Sequence, residues 1–444
     1  MQNSLVAIIA IVVLVFSTGC QETGPDTVLP LSTVSSLSPI IMSKLTHTTK
    51  SIDSTQCQIA NLPFVNTTLS DLDHLAWSPA EDTLAYISPS ADSDLALGDL
   101  SVVGENDFTS PQILASNVNG DPTWSPDGSM IGFVVFRPSD QLGSVVLYDL
   151  KEGQLRDLLP GTAAQTDAGT SYKGILGWFS EFGPLISTNC GVGCRRVHTL
   201  SSEHNSLDVL LQPEQEGIRY DWSPDLDKVV VTAGFRPQIG ITSMNDTVNW
   251  LSGHNTVNEA WENVFTLFAD WHPDSSQFLF YAQSNKDRAL PELWTWDLTS
   301  NTGAKLLEGV ISASWSPDGD TVAYVSIQDT LLLSGTPQMG IGLYQPQQEQ
   351  SVVFEKINEI APNSLYPDGW YLQYPLPLWS PSGDFVVFPH SNGISILSIG
   401  NTMIFQLPTE GSVKEARWSF SGTRLALGMS NKLQVFSISC LVQE

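Results

Sequence analysis

The amino-acid sequence predicts an all-β fold, a β-propeller of eight four-stranded blades, and three observations lead to this prediction. A tryptophan-centred motif recurs along the chain, a short strand-like run follows it, and the interval between copies has room for four strands. Repetition at a period of about 40–50 residues is typical of propeller blades. Seven blades is the alternative, because the third copy of the motif is the most degenerate.

The motif in its fullest form is Trp-Ser-Pro-Asp-Gly, and its tryptophans lie 39 to 64 residues apart. Proline fixes φ in a tight turn, aspartate hydrogen-bonds the local backbone, and glycine completes the turn. The motif therefore predicts a hairpin turn with tryptophan ending the preceding strand, and we expect that tryptophan to lie between neighbouring blades. Eight of the thirteen tryptophans lie in this frame: Trp77, Trp124, Trp178, Trp222, Trp271, Trp315, Trp379 and Trp418.

The residues after the motif have strand-like composition. Residues 83–87 and 321–325 are β-branched, aromatic or aliphatic at strand length. In the second repeat, residues 144–148 and 154–159 supply two further candidate strands. A lone four-stranded blade has two open faces, so neighbouring blades must pack face to face to form a core.

The repeats resemble the Trp-Ser-Pro-Asp-Gly propeller repeats of TolB and of prolyl-oligopeptidase-type proteases, and they are WD-repeat-like in their blades. The resemblance covers about residues 57–440. It implies the fold and no particular activity, because the matching residues are turn and packing residues. TolB also has an N-terminal α/β domain, for which this chain has no room. The resemblance therefore does not imply a role in the Tol–Pal envelope system for this protein.

The first residues predict export and a lipid anchor. Residues 5–16 form an uncharged apolar run, which is shorter than the roughly 20 residues of a membrane-spanning helix. Residues 17–20, Ser-Thr-Gly-Cys, resemble a bacterial lipobox in which Cys20 becomes the lipidated N-terminus. An ordinary signal peptide or an uncleaved anchor is the alternative.

The predicted organisation follows from these segments. We expect a lipoprotein-type signal peptide over 1–19, and lipidated Cys20 with a disordered Ser/Thr/Pro-rich tether over 20–56. The propeller domain is expected over 57–444. The protein would then stand at the bacterial cell envelope, on the periplasmic or outer surface, and touch the membrane through its lipid alone.

The charge of the chain indicates which classes of molecule it is expected to bind. Acidic residues number 47 against 19 lysines and arginines, giving a net charge of −28. This balance disfavours a nucleic-acid partner, because binding to nucleic acid depends on basic side chains. It also disfavours electrostatic adhesion to anionic lipids. An envelope or extracellular protein, or a glycan, is the expected partner.

Four cysteines remain if Cys20 carries lipid, an even number in an oxidising compartment. Cys190 and Cys194 flank Gly-Val-Gly, which predicts a three-residue hairpin loop between residues 184–189 and 195–200, closed by a local disulfide.

The other two cysteines bear on ring closure. The last repeat runs out after three strands, and residues 57–63 resemble the outer strand of the first repeat. We expect this N-terminal segment to complete the eighth blade antiparallel to residues 433–439, which removes an unpaired edge. Cys57 and Cys440 would then be neighbours joined by a disulfide.

An enzyme is the alternative to a binding module. No Gly-x-Ser-x-Gly nucleophile elbow occurs, and no catalytic residue is predicted. A lyase or hydrolase of carbohydrate or peptide chemistry would need residues that converge on the axial mouth from several blades. The histidines of different repeats that could do so are His74, His198, His254, His272 and His390.

No cofactor is expected. The absence of Cys-x-x-Cys and the scattered histidines disfavour zinc. Acidic pairs such as Asp71/Asp73 and Asp225/Asp227 leave calcium open, because calcium prefers carboxylate oxygens, although turn aspartates are the commoner explanation.

Three insertions predict a binding face. Residues 161–173, 255–268 and 355–374 lengthen connections from the last strand of one blade to the first of the next, and such connections emerge on one face. The second insertion has Trp261, Val264, Phe265 and Phe268 at helix-like spacing. Aromatic anchors there are the ligand-binding candidates, unless they cap hydrophobic blade ends: Trp261, Phe265, Tyr366, Trp370 and Tyr371.

Overall fold

The structure, a computed structural model, describes most of the chain between residues 52 and 442. The described residues are 52–62, 75–89, 97–104, 107–137, 143–159, 172–179, 183–191, 194–200, 207–211, 217–233, 239–243, 248–251, 264–284, 290–327, 339–357, 364–365, 372–373, 375–390, 393–400, 402–409, 413–429 and 432–442. The predicted signal peptide, Cys20 and most of the predicted tether lie outside these residues. No helix among the described residues is both long and apolar enough to cross a membrane.

The described elements are strands, apart from one 3₁₀ turn at Pro346–Gln348. In the first half of the chain the strands are β1 (Ile52–Leu62), β2 (Leu75–Trp77), β3 (Leu84–Pro89), β4 (Gly98–Gly104), β5 (Asp107–Trp124), β6 (Met130–Val135), β7 (Ser144–Asp149), β8 (Gln154–Leu159), β9 (Tyr172–Phe179), β10 (Gly183–Gly191), β11 (Cys194–Leu200), β12 (Leu207–Leu211), β13 (Gly217–Trp222), β14 (Lys228–Ala233), β15 (Ile239–Ser243) and β16 (Asn249–Trp250).

In the second half they are β17 (Val264–Trp271), β18 (Gln277–Ser284), β19 (Glu292–Asp297), β20 (Thr302–Glu308), β21 (Val310–Trp315), β22 (Val322–Ile327), β23 (Met339–Gln345), β24 (Gln350–Ile357), β25 (Ser364–Leu365), β26 (Leu372–Gln373), β27 (Leu378–Trp379), β28 (Phe385–His390), β29 (Gly393–Ser398), β30 (Met403–Pro408), β31 (Val413–Trp418), β32 (Arg424–Met429) and β33 (Lys432–Val442).

Repeats are numbered by their motif tryptophan, from the first (Trp77) to the eighth (Trp418). Each motif copy lies in the first strand of a set of antiparallel strands, and this first strand is here called the inner strand. Within each set, strands that follow one another in the sequence are hydrogen-bonded to one another. The first two repeats share one seven-stranded sheet, β2 to β8. They share it because the long strand β5 pairs with β4 through its first part and with β6 through its second. The degenerate third copy also begins a four-stranded sheet, β9 to β12.

The two ends of the chain meet in one sheet. Strand β1 pairs antiparallel with β33, in the order β1-β33-β32-β31. Leu62 lies opposite Val435, and Cys57 lies opposite Cys440. The predicted strand pairing is therefore confirmed. Strand β1 begins at Ile52, five residues before the predicted start of the domain, so the end of the predicted tether is part of the sheet.

The motif forms the tight turn that the sequence predicts. In the second repeat, the Ser125 amide donates to the Met130 carbonyl, and the Gly128 amide donates to the Ser125 carbonyl, both at 2.9 Å. Gly128 has a φ of 69°, in the left-handed region that glycine enters without steric cost. Leu226 and Ser275 take the same conformation in the fourth and fifth repeats, at φ of 64° and 63°.

The motif tryptophans join neighbouring repeats, as predicted. Trp124 donates from its indole nitrogen to the Ala76 carbonyl oxygen at 2.9 Å. The acceptor is the residue immediately before the tryptophan of the preceding repeat. The same relationship holds for Trp178 and Thr123 (3.3 Å), Trp271 and Asp221 (2.8 Å), Trp379 and Ser314 (3.3 Å), and Trp418 and Leu378 (3.1 Å).

The hydrophobic core lies between adjacent sheets. One cluster packs Leu84 and Tyr86 of the first repeat against Val435 of the eighth. Another packs Val387 of the seventh repeat against Leu425 of the eighth. Each sheet thus buries its faces against its neighbours, which a single four-stranded sheet cannot do alone.

Two local predictions are corrected. The helix-like spacing in the second insertion is wrong from Val264 onward, because Val264–Trp271 is strand β17. Val264 to Phe268 pair with β18 without a shift of register, and Phe268 is a core residue. The predicted 190–194 hairpin exists, but Gly191 pairs with Cys194, so the loop is shorter than expected. The side chains of the two cysteines lie outside the described part.

Candidate ligand-binding site

A cleft of about 470 Å³ opens against the inner strands of the eighth, first and second repeats. This volume lies within the roughly 300–1,000 Å³ of small-molecule sites. We call it the junction cleft, since it spans the place where the last repeat meets the first. Its lining residues are Leu75, Ala76 and Trp77 of β2, Asp121 and Pro122 of β5, and Glu415, Arg417 and Trp418 of β31.

The junction cleft is built on inner strands, each of which has one edge that pairs with no other described strand. An inner strand has one hydrogen-bonded neighbour, so its other edge presents backbone groups that need partners. At this junction the Leu75 amide donates to the carboxylate Oε2 of Glu415 at 3.2 Å. The Trp77 indole donates to the Arg417 carbonyl oxygen at 3.0 Å. These two bonds fix β2 against β31.

Glu415 also orients the arginine of the junction cleft. Residues two apart on a strand point to the same face, which places Glu415 beside Arg417. The arginine Nε lies 2.8 Å from Glu415 Oε1. The Arg417 side chain is 53% exposed, whereas that of Glu415 is 10% exposed. Among the described residues, Glu415 is the partner of Arg417, through Nε, and the guanidinium lines the cleft.

A second charged cluster lies on the inner strands of the fourth to sixth repeats. Arg219 Nε lies 2.8 Å from Asp221 Oδ2, and the Trp315 amide donates to Asp270 Oδ2 at 2.8 Å. Burial raises the pKa of Asp221, and Arg219 partly opposes this. Burial raises the pKa of Asp270 to about 7. This cluster holds the fifth and sixth repeats together through the Asp270–Trp315 bond.

Polar residues next to the motif also join neighbouring repeats at another junction, between the sixth and seventh repeats. Ser312 and Ser314 donate to the carbonyl oxygens of Pro375 and Pro377, each at 2.6 Å. Ser314 lies one residue before Trp315, and Ser312 lies three residues before it. Asp221 and Arg219 occupy the same two positions before Trp222. Glu415 and Arg417 hold the same positions before Trp418. Side chains at these two positions thus reach the inner strand of the next repeat or line the junction cleft.

The described histidines have separate local partners. His198 contacts Thr188 at 2.7 Å. His272 replaces the motif serine, contacts Asp274 at 2.5 Å and lies 3.1 Å from the Gly319 carbonyl oxygen. His390 lies 3.3 Å from Ser395. Across the described ranges, no group of three or more His, Cys, Asp or Glu residues could hold a metal ion.

Asp225 and Asp227, one of the acidic pairs considered for calcium, bond within or beside their own turn. Asp225 Oδ1 accepts from the Ser223 hydroxyl at 2.6 Å and from the Asp227 amide at 3.1 Å. The serine bond lowers the Asp225 pKa. Asp227 pairs with Lys228 at 2.8 Å. The other acidic pair considered for calcium, Asp71/Asp73, lies outside the described residues.

Of the aromatic candidates of the insertions, Phe265 alone belongs to a described strand. Phe265 lies in β17, opposite Gln283 of β18. Trp261, Tyr366, Trp370 and Tyr371 lie outside the described part of the chain. The sequence analysis missed the lining residues Asp121, Glu415 and Arg417. The signal that could have found them is a charged residue one or three positions before a motif tryptophan.

Comparisons with known proteins identify the fold. No protein-family model matches the chain, and a search of the curated proteins gives no significant match. Among solved structures, the chain is similar to one described as "Structure of Dos1 propeller", with a TM-score of 0.54 and 13% identity, over 86% of this chain and 94% of that one. A TolB structure from Acinetobacter baumannii gives a TM-score of 0.35 and 17% identity, over 81% of this chain and 65% of that one. Together with the all-β sheets described above, the likeness to the Dos1 propeller shows that the chain has the β-propeller fold.

Proposed function

We propose that this protein is an exported, lipid-anchored, TolB-like β-propeller of eight blades that binds a protein or a glycan at the bacterial cell envelope. The junction cleft is the observation that carries the binding role. It places a half-exposed guanidinium, two carboxylates and two indole rings around one concave surface. A mixed set of polar groups among aromatic rings is typical of binding sites.

Closure of eight blades into one ring is supported by the contacts between the first and eighth repeats. The Trp77–Arg417 bond repeats the relationship that joins successive repeats elsewhere. The carboxylate of Asp82 accepts from the Ser421 amide at 3.0 Å and from its hydroxyl at 2.6 Å. Pairing of β1 with β33 supplies the eighth blade with a fourth strand.

Export and anchoring rest on the N-terminal sequence. The apolar run of residues 5–16 followed by Ser-Thr-Gly-Cys supports lipidation of Cys20. Strand β1 begins at Ile52, so about thirty residues separate the proposed anchor from the first sheet. A Ser/Thr/Pro-rich segment of that length would let the propeller stand off the membrane. Replacement of Cys20 by serine should move the protein from the membrane fraction to the supernatant.

The long insertions are proposed to extend the binding surface. The connections that contain Trp261 and Trp370 lead into β17 and β27, which are inner strands like those that line the junction cleft. Aromatic side chains on such connections supply large contact areas at low entropic cost. We propose no catalytic residue and no cofactor for this surface.

Affinity capture tests the binding role. The mature protein is immobilised through a C-terminal tag and exposed to detergent-solubilised envelope, and retained proteins and glycans are identified by mass spectrometry. Arg417→Gln and Asp121→Asn should each reduce retention of the specific partner. Arg137→Gln is the matched control, because Arg137 pairs with Asp157 and does not line the junction cleft. Equal retention by all four proteins would contradict the proposal.

A further inference from the structure

We infer that the junction cleft binds an uncharged sugar, a pyranose unit of a neutral oligosaccharide. This inference rests on the proposed binding function and names the class of ligand. It follows from the kinds of hydrogen-bonding group in the cleft, from its charge, and from its two indole rings.

The polar groups of the cleft match hydroxyls. The Nη groups of Arg417 are donors only, and the carboxylate of Asp121 is an acceptor when ionised. A ligand that meets both kinds of group must accept from the arginine and donate to the aspartate. A hydroxyl does both, and the adjacent hydroxyls of a pyranose can do so from neighbouring carbons. A carboxylate or phosphate ligand would accept from Arg417 but repel Asp121.

The charge of the protein also favours a neutral ligand. The chain carries a net charge of −28, and the cleft itself holds two carboxylates and one guanidinium. This field repels polyanions such as acidic glycans. The negative field would attract a basic peptide, but the half-exposed guanidinium of Arg417 would repel a cationic side chain of that peptide in the cleft. A neutral sugar avoids both repulsions.

The site is held in place before a ligand arrives. Glu415 fixes Arg417 at Nε, and the Arg417 carbonyl oxygen holds the Trp77 indole. The Trp77 ring also packs edge-on against Phe108, with centroids 6.3 Å apart. Groups that are already ordered lose little entropy on binding. Trp77 and Trp418 give the cleft apolar surface for the C–H face of a sugar ring.

Titration calorimetry with defined probes tests this inference. The neutral probes are trisaccharides of glucose, galactose, mannose and N-acetylglucosamine, and the charged probes are trigalacturonate and a lysine-rich hexapeptide. At least one neutral probe should bind, and it should bind more tightly than either charged probe. Arg417→Gln and Asp121→Asn should each weaken that binding by roughly 10- to 100-fold, because each removes a charged hydrogen-bonding partner.

Controls separate this inference from the proposed function. Arg137→Gln should bind the neutral probe as the wild type does, and thermal melts should show that every variant is folded. Tighter binding of trigalacturonate or of the peptide would overturn the inference, as would neutral binding that is indifferent to both cleft variants. If no sugar binds while envelope capture still depends on Arg417, the sugar inference fails and the binding function stands. If capture is also independent of Arg417, both fail.

Discussion

Trp77, in the first repeat, donates its indole N–H to the carbonyl oxygen of Arg417, in the last repeat, at 3.0 Å. Five other motif tryptophans donate the same bond to the residue before the preceding motif tryptophan, as Trp124 does to Ala76. The first and last repeats are therefore joined by the same hydrogen bond as repeats that are adjacent in the sequence. The side chain of Arg417 lines the junction cleft, so the contact that joins the chain ends also positions the candidate site.

Replacing Trp77 with phenylalanine removes the indole donor and keeps an aromatic ring. The free energy of unfolding should fall by about 0.5–1.5 kcal/mol, because the hydrogen bond to the Arg417 carbonyl is lost. Trp124→Phe is the matched variant, since it removes the equivalent bond between the first and second repeats. Urea unfolding should give similar losses for both. A loss for Trp124→Phe alone would show that the first and last repeats do not meet in solution.

Asp82 stabilises the same junction from the turn of the first repeat. Its carboxylate is buried, accepts two hydrogen bonds from Ser421 and lies 3.6 Å from Arg424 Nε. Asp82→Ala should lower the unfolding free energy by about 1.5–3 kcal/mol, because it removes two hydrogen bonds to a charged, buried carboxylate.

Asp227→Ala is the control for Asp82→Ala. The Asp227 side chain is 68% exposed and pairs with Lys228 at the surface. Its loss should cost less than about 0.5 kcal/mol. Equal effects of the two substitutions in urea unfolding would contradict the role given to Asp82.

Asp270 makes stability depend on pH. Burial raises its pKa from 3.8 to about 7, so between these values the folded state holds a proton that the unfolded state has released. This contribution to stability is complete below pH 4 and is lost as pH rises to about 7. Asp270→Asn keeps an acceptor for the Trp315 amide and does not titrate. Its stability relative to wild type should therefore rise between pH 4 and pH 8, by at most about 4 kcal/mol.

Asp297→Asn is the control for that pH series. Hydrogen bonds from Ser300 lower the Asp297 pKa, so the carboxylate is already ionised in both states above pH 5. The stability difference between this variant and wild type should stay constant from pH 5 to pH 8. A constant difference for Asp270→Asn as well would show that Asp270 is ionised throughout.

The repeat motif made most of the fold predictable. The tight turn is a local preference that the motif carries within a few residues, most fully in the Pro-Asp-Gly copies, as at Gly128. Pairing of β1 with β33 was also predictable, because a last repeat of three strands needs a fourth. The spacing of Val264, Phe265 and Phe268 misled, because a strand with apolar residues at successive positions lacks the two-residue alternation that marks a strand in the sequence. These residues pair with β18 without a shift of register.

The junction cleft was not predictable in the same way. Glu415 and Arg417 are separated from Asp121 by almost three hundred residues, and only closure of the first repeat against the last brings them to one surface. The motif specifies how each repeat meets the next. It does not specify which of the junctions opens into a cleft, since that depends on the side chains one and three positions before each tryptophan.

Closure of the ring by β1 is the central claim, because the junction cleft exists only where the eighth repeat meets the first. The backbone register places Cys57 opposite Cys440. Directly opposed Cα atoms of antiparallel strands lie roughly 4.5–5.5 Å apart, within the usual range for a disulfide. We therefore predict a disulfide between Cys57 and Cys440, with Cys190 and Cys194 as the other pair.

Peptide mapping of the exported protein, alkylated without reduction, tests this claim most directly. The predicted result is a peptide pair linked through Cys57 and Cys440, which disappears after reduction. Two alkylated, unlinked cysteines at these positions would contradict closure by β1, as would a bond from Cys57 to Cys190 or Cys194.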